Sequence, residues 1–218
     1  MEYPEPLQDY ALTQITRGIQ SGLYPMGSKL APQRIAQTLG ISSTPVVAAL
    51  NRLATQGLVE MIPRRGAVVK KFTPEDIRSH FDTRIMMESW AAKSAIRNVE
   101  RFPDIVREMD DLAYSLSAVE DETLSDLDAI RDIDTRFHTL LVQLAGNAQL
   151  SRLYEFNWSV GSVFFVYSVG KVKPENLKIS LLEHREIVTA LKARDEKWLQ
   201  DLLQNHFRFL SKALEWYH

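Results

Sequence analysis

The stretch GISSTPVVAALNRL, Gly40–Leu53, decides the fold of the first part of the chain. It opens on a glycine, offers Ser42, Ser43 and Thr44 as helix caps, and places Pro45 in the first turn, where a missing N–H is harmless and a fixed φ suits the helix. Val46, Val47, Leu50 and Leu53 follow as its apolar positions, and Gly57 ends it. Just upstream, Pro32 to Leu39 reads as a second short helix, joined by the turn Gly40-Ile41-Ser42. Two helices linked by a short glycine-containing turn make a helix-turn-helix. Before them, LQDYALTQITRGIQSG sets Leu7, Ala11, Ile15 and Ile19 at helical spacing; after them, LVEMI and AVVKK are β-favouring runs around the tight turn PRRG. Three helices followed by a hairpin predict a winged helix-turn-helix over residues 1–72.

From Thr73 onward the pattern is helical throughout. TPEDIRSHF has Thr73 as a cap, Pro74 at the first helical position and acids in the first turn. Periodic segments follow at 74–98, 103–118, 126–145, 148–168, 174–193 and 196–217, broken at Pro103, Gly146-Asn147 and Pro174. The fold class expected is mainly α: a small winged domain, then an all-helical bundle of about six helices over residues 73–218.

Charge divides along the same line. Residues 1–72 hold 8 Lys and Arg against 4 Asp and Glu, and residues 73–218 hold 18 against 24, which together give the net −2 of the chain. No acidic residue lies between Asp9 and Glu60, so the first part faces a polyanion with little repulsion. The chain has no cysteine, which excludes disulfides, thiolate metal sites and thiol nucleophiles. MEYPEPLQDYALTQ lacks the basic start and apolar run of a secretory signal, and no stretch is apolar for long enough to span a membrane. A cytoplasmic protein without a membrane partner is expected.

Three of the five histidines interrupt apolar helical faces. Ile130, Ile133, Phe137, Leu141 and Leu144 form one stripe, with Asp134 and His138 four apart beside it. His184 lies between Leu181 and Val188, and His206 between Leu202 and Leu210. Burying that many polar groups without partners costs several kcal/mol, and one divalent cation satisfies them together. Imidazole and carboxylate ligands suit zinc, nickel, manganese or iron, and a small carboxylate can complete a larger coordination shell. The rival use of such a site is catalysis, in a metal-dependent enzyme with an appended DNA-binding module. The Glu-x-x-His pattern of di-metal bundles is missing, since Thr135, Leu181 and Leu203 precede the histidines by three. His-Glu-x-x-His, a glycine-rich phosphate loop and Gly-x-Ser-x-Gly are missing too. A regulator rather than an enzyme is expected.

The block LAPQRIAQTLGISSTPVVAALNRLATQGLVEMIPRRGAVV resembles the DNA-binding domain of GntR-type bacterial transcription regulators, with its Thr-Pro pair, Gly-Leu-Val strand start and Arg-Gly wing tip. DTRFHTLLVQLAGN, LLEHREIVTAL and NHF are similar to the FCD effector domain of the FadR-like branch. The resemblance implies a ligand-responsive repressor or activator that binds a palindromic double-stranded DNA operator as a homodimer and answers to a small organic acid. By position it assigns the metal ligands to Asp134, His138, His184 and His206. It also marks Arg84 as a candidate for the effector carboxylate, beside the alternative of an i, i+4 pair with Glu88, and Asn157 as a second candidate, beside the alternative of a solvated surface amide.

The departure lies in the opening stretch. The family commonly has Ser-Arg-Thr-Pro-x-Arg-Glu-Ala, whereas Ser43, Val47 and Ala48 stand at the two arginines and the glutamate. Bidentate guanine contacts from those positions are therefore lost. Ser42, Ser43 and Thr44 at a helix N-terminus suit phosphate, Val46 or Val47 suits a thymine methyl, and Gln33, Arg34, Asn51 and Arg52 remain for polar contacts. Arg64 and Arg65 at the wing tip supply the charge, with Lys70 and Lys71 behind. A regulator that leans on its wing and on phosphates is expected, with a core Val47 and weak operator binding as the alternative.

Overall fold

The computed structural model describes residues 6–63, 66–119, 127–169 and 174–206. The chain divides into two compact units, Met1–Thr73 and Pro74–His218.

In the first unit α1 (Leu7–Gln20), α2 (Pro32–Leu39) and α3 (Ser43–Thr55) pack around Ala11, Ile15, Ile19, Ile35, Val46, Leu50 and Leu53. Gly40 lets α2 stop and α3 start at once. Its φ of 68° is a left-handed conformation that turns its N–H back onto the Ala36 and Gln37 carbonyls. Beyond α3, β2 (Val59–Ile62) and β3 (Gly66–Val69) form the expected hairpin, in antiparallel register from Val59 opposite Val69 to Ile62 opposite Gly66. The sheet has a third strand that the sequence pattern did not reveal: β1 (Lys29–Leu30) pairs with the other edge of β3. Two residues are too few to show alternation, so β1 exists through its partner, Leu30 being buried opposite Ala67.

The second unit is helical throughout its described residues: α4 (Pro74–Asn98), α5 (Pro103–Ser117), α6 (Leu127–Leu144), α7 (Ala148–Val169), α8 (Pro174–Ala193) and α9 (Glu196–His206). The continuation of the last segment to 217 lies outside the described residues. Proline starts α5, and Asn147 starts α7 by accepting the Gln149 and Leu150 amides on its Oδ1. α6 lies against α4, α5 and α7, and α9 closes on α4 and α8. Their shared interior contains Ala92, Met109, Phe137, Leu141, Leu144, Val188, Leu191 and Leu203. This packing brings the inner faces of α4, α6, α8 and α9 toward one another, and those faces carry the polar residues of interest.

Candidate metal centre and recognition helix

Asp134 and His138 share one face of α6 because they are four residues apart. α8 contributes His184 and α9 contributes His206, and all four residues are buried. One ligand atom from each lies within 4.8 Å of those of the others. His138 Nε2 is 3.2 Å from both His184 Nε2 and His206 Nε2. Asp134 Oδ1 is 3.2 Å from His184 Nε2 and 3.6 Å from His138 Nε2. Donors held about 2.0–2.1 Å from a zinc-sized ion at tetrahedral angles stand roughly 3.3–3.4 Å apart, so these spacings fit a coordination shell.

The outer face of each imidazole explains why. His138 Nδ1 donates to Glu88 Oε2 at 2.8 Å. His184 Nδ1 donates to the Ser180 carbonyl at 3.1 Å, and His206 Nδ1 to Glu183 Oε2 at 2.9 Å. These acceptors hold a proton on every Nδ1, which leaves the Nε2 lone pairs facing inward. Three nitrogen lone pairs and a carboxylate oxygen then confront one another across little more than 3 Å. A cation at the centre relieves that repulsion.

The surrounding charge reinforces the preference. Burial alone would raise the Asp134 carboxyl, but His138 and Arg84 outweigh it and hold the group well below the usual carboxylate range. Burial would lower His138, but Glu88 and Asp134 raise it, so this ring favours a positive neighbour or proton. Burial lowers His184, and it drives His206 well down, aided by the other two rings.

Arg84 makes the i, i+4 pair with Glu88. Its Nε donates to Glu88 Oε1 at 2.7 Å, one helical turn away, and its Nη2 reaches Asp134 Oδ2 at 3.5 Å. The guanidinium lies over the Trp158 ring, 4.1 Å from its centroid. Asn157 stands half-buried on α7 beside Trp158, and its amide nitrogen is buried with no partner among the described residues. Sequence reasoning missed Glu88 as the carboxylate joining Arg84, His138 and the Tyr154 hydroxyl, and it missed Glu183 behind His206. The one available signal was Glu88 four residues after Arg84.

In the first unit Gln33, Arg34, Ser42, Ser43, Thr44, Asn51 and Arg52 are all exposed. α3 separates its two valines: Val46 is fully buried and Val47 is 38% exposed, so Val47 belongs to the outer face with Ser43, Thr44 and Asn51. Arg52 donates to Asp9 Oδ1 at 2.7 Å, which ties α3 to α1. Arg64 and Arg65 lie outside the described residues.

The FCD domain family matches residues 79–209, and the bacterial regulatory proteins of the gntR family match residues 7–69. The chain belongs to the GntR family, in its FCD class. It is 31% identical over 132 residues to an HTH-type transcriptional regulator in the TAR-I ttuE-ttuC' intergenic region of Agrobacterium vitis, covering 60% of this chain and 76% of the relative. It is 25% identical to the transcriptional repressor RspR of Escherichia coli strain K12, over 96% of this chain and 90% of that one. The structure of E. coli McbR/YncC superposes with a TM-score of 0.77 at 20% identity, over 95% of this GntR chain and 98% of that one, which shows the shared fold. A GntR protein of this class is a DNA-binding transcription regulator. Among its described residues no helix is long and apolar enough to cross a membrane.

Proposed function

We propose that this regulator senses a small carboxylic acid at a divalent metal held by Asp134, His138, His184 and His206, and thereby changes the affinity of a homodimer for its operator. The observation that carries the reading is the convergence of one carboxylate oxygen and three inward Nε2 atoms within 4.8 Å. A bound divalent ion supplies two positive charges and open coordination positions for an anionic oxygen. The chain's own residues supply the rest. Arg84 carries one positive charge, and Glu88 and Asp134 carry two negative ones. A divalent ion leaves this group at about +1, which one carboxylate neutralises.

The test is calorimetric titration of short carboxylic acids into metal-loaded full-length protein, paired with operator binding. Sites for the second assay come from selection on fragmented genomic DNA. An acid that binds only the metal-loaded protein and shifts operator affinity supports the reading, whereas acid binding that is indifferent to metal contradicts it.

Operator contact is assigned to the exposed face of α3, to Gln33 and Arg34 on α2, and to the wing arginines. Arg64→Ala is expected to flatten the slope of log K against log salt by about one unit, the signature of one lost phosphate contact. An unchanged slope removes Arg64 from the interface. Dimerisation is assigned to an apolar face of the helical unit, where Met86 and Trp90 on α4 are 64% and 51% exposed and Leu153 and Phe156 on α7 are exposed as well. Trp90→Glu is expected to halve the mass measured by sedimentation at micromolar concentration, and an unchanged mass places the interface elsewhere. RspR is named a repressor, and we assign the same sign and a cytoplasmic setting here.

A further inference from the structure

The first unit holds a ligand-sized space of its own. A pocket of about 370 Å³ opens between the α1–β1 loop and α2, with Leu23, Tyr24, Ser28, Lys29, Arg34 and Ile35 in its lining. That volume lies in the range of small-molecule sites, which combine apolar walls with a few polar groups. Local bonds fix these walls in advance. The Tyr24 ring lies so close to α1 that a Cβ built on Gly18 would be 2.5 Å from it, and the Tyr24 amide donates to the Gly18 carbonyl at 2.9 Å. The Ser28 amide donates to the Pro25 carbonyl, the Ser28 carbonyl accepts from Val69 of β3, and Lys29 pairs with Val68 across the sheet.

Three polar groups in this lining have nothing to bind. Ser28 Oγ is buried with no hydrogen-bond partner among the described residues, a condition that costs stability unless a partner arrives. Lys29 and Arg34 are exposed, and their side chains form neither a hydrogen bond nor an ion pair among the described residues. No carboxylate is among the residues that line the pocket. The chain has no acid between Asp9 and Glu60, and Asp9 itself accepts from Arg52. Two unmatched cations and one unmatched hydroxyl therefore share a preformed pocket with an apolar wall of Leu23, Tyr24 and Ile35.

We infer that this pocket binds a small phosphate monoester, with the phosphate on Arg34, Lys29 and Ser28 and the organic part against the apolar wall. A phosphate monoester near pH 7 carries a charge of about −1.5 to −2 and three acceptor oxygens, which match two cations and a hydroxyl donor. A carboxylate brings one charge and leaves one cation unmatched. The planar fork of Arg34 also suits two oxygens of a phosphate at once. The site is independent of the metal centre and of carboxylate sensing. Its effect on DNA rests on the assignment of Arg34 to the operator, since an ester that occupies Arg34 competes for that contact.

The test is calorimetric titration of phenyl phosphate into metal-loaded full-length protein at constant ionic strength, with benzoate as the carboxylate comparison. One site per chain is expected, unchanged by a chelator, and it favours phenyl phosphate over benzoate by about 10-fold or more. Arg34→Gln is expected to weaken phenyl phosphate by about 10-fold or more and Ser28→Ala by about 3- to 10-fold. Both variants are expected to melt at or near the wild-type temperature, because neither side chain has a partner to lose. Phenyl phosphate is also expected to weaken operator binding by the wild type but not by Arg34→Gln. Binding that a chelator abolishes places the anion at the metal centre and overturns the pocket site, as does equal affinity for benzoate or an affinity unchanged in both variants. A salt slope flattened by about one unit in Arg34→Gln, with no binding of phenyl phosphate to the wild type, gives Arg34 to the operator alone. That result overturns the pocket site and leaves the operator reading standing. Phenyl phosphate that binds as expected without changing operator affinity upholds the site and removes Arg34 from the operator.

Discussion

His138→Ala is expected to remove the thermal response of the protein to a chelator. At free metal about a thousandfold above Kd, binding stabilises the folded state by about 4 kcal/mol. For a chain of this size each kcal/mol moves the midpoint by about 2–4 °C, so stripping metal from the wild type lowers Tm by roughly 8–16 °C. His138 is the ring whose Nε2 stands 3.2 Å from both other imidazoles, and its loss opens the centre of the donor set. The variant's affinity for divalent metal is expected to fall by more than the roughly 10–100-fold that loss of an outer partner costs. Scanning calorimetry with and without chelator measures the difference. A variant whose midpoint drops with chelator as far as the wild type's would mean that the metal sits elsewhere.

Glu88→Ala is expected to have the largest effect on stability. Glu88 is fully buried and accepts from Arg84, His138 and Tyr154 at once. Burial would raise its carboxyl, but His138 and Arg84 keep it below the ordinary value and hence ionised. Removing it takes from the buried Arg84 guanidinium its 2.7 Å carboxylate partner, a change that costs about 3–5 kcal/mol for buried pairs. The surface pair of Arg136 with Glu108 offers an internal control. It is short at 2.6 Å, but both side chains are nearly half exposed, so Glu108→Ala is expected to cost less than about 1 kcal/mol. Denaturant titration of the two variants should separate them by several-fold in energy, and equal costs would contradict a buried network centred on Glu88.

Much of this arrangement is legible in the sequence. Proline, glycine and alternating apolar runs marked α2, α3 and the hairpin because those residues restrict the backbone locally. Asp134 and His138 stood out because their four-residue spacing puts them on one face within an apolar stripe. What remained hidden depends on packing between helices. Glu88 reads as a surface partner of Arg84 until α6 and α7 bring His138 and Tyr154 to it. His80 gave little signal, since Asp76, Thr83 and Arg84, one turn from it on α4, are polar and much of its burial comes from Trp158 and Phe164 on α7. Val46 and Val47 are chemically alike, and only the angle at which α3 meets α1 decides which is core. β1 is too short to announce itself at all.

The most direct test of the metal centre is anomalous diffraction from crystals of the full chain grown without chelator, recorded at the absorption edge of the metal found by elemental analysis. One strong peak is expected within bonding distance of Asp134 and of Nε2 of His138, His184 and His206, at about one ion per chain. A map with no peak there, and rings hydrogen-bonded to one another through a proton, would mean that these four residues form a polar core rather than a sensor.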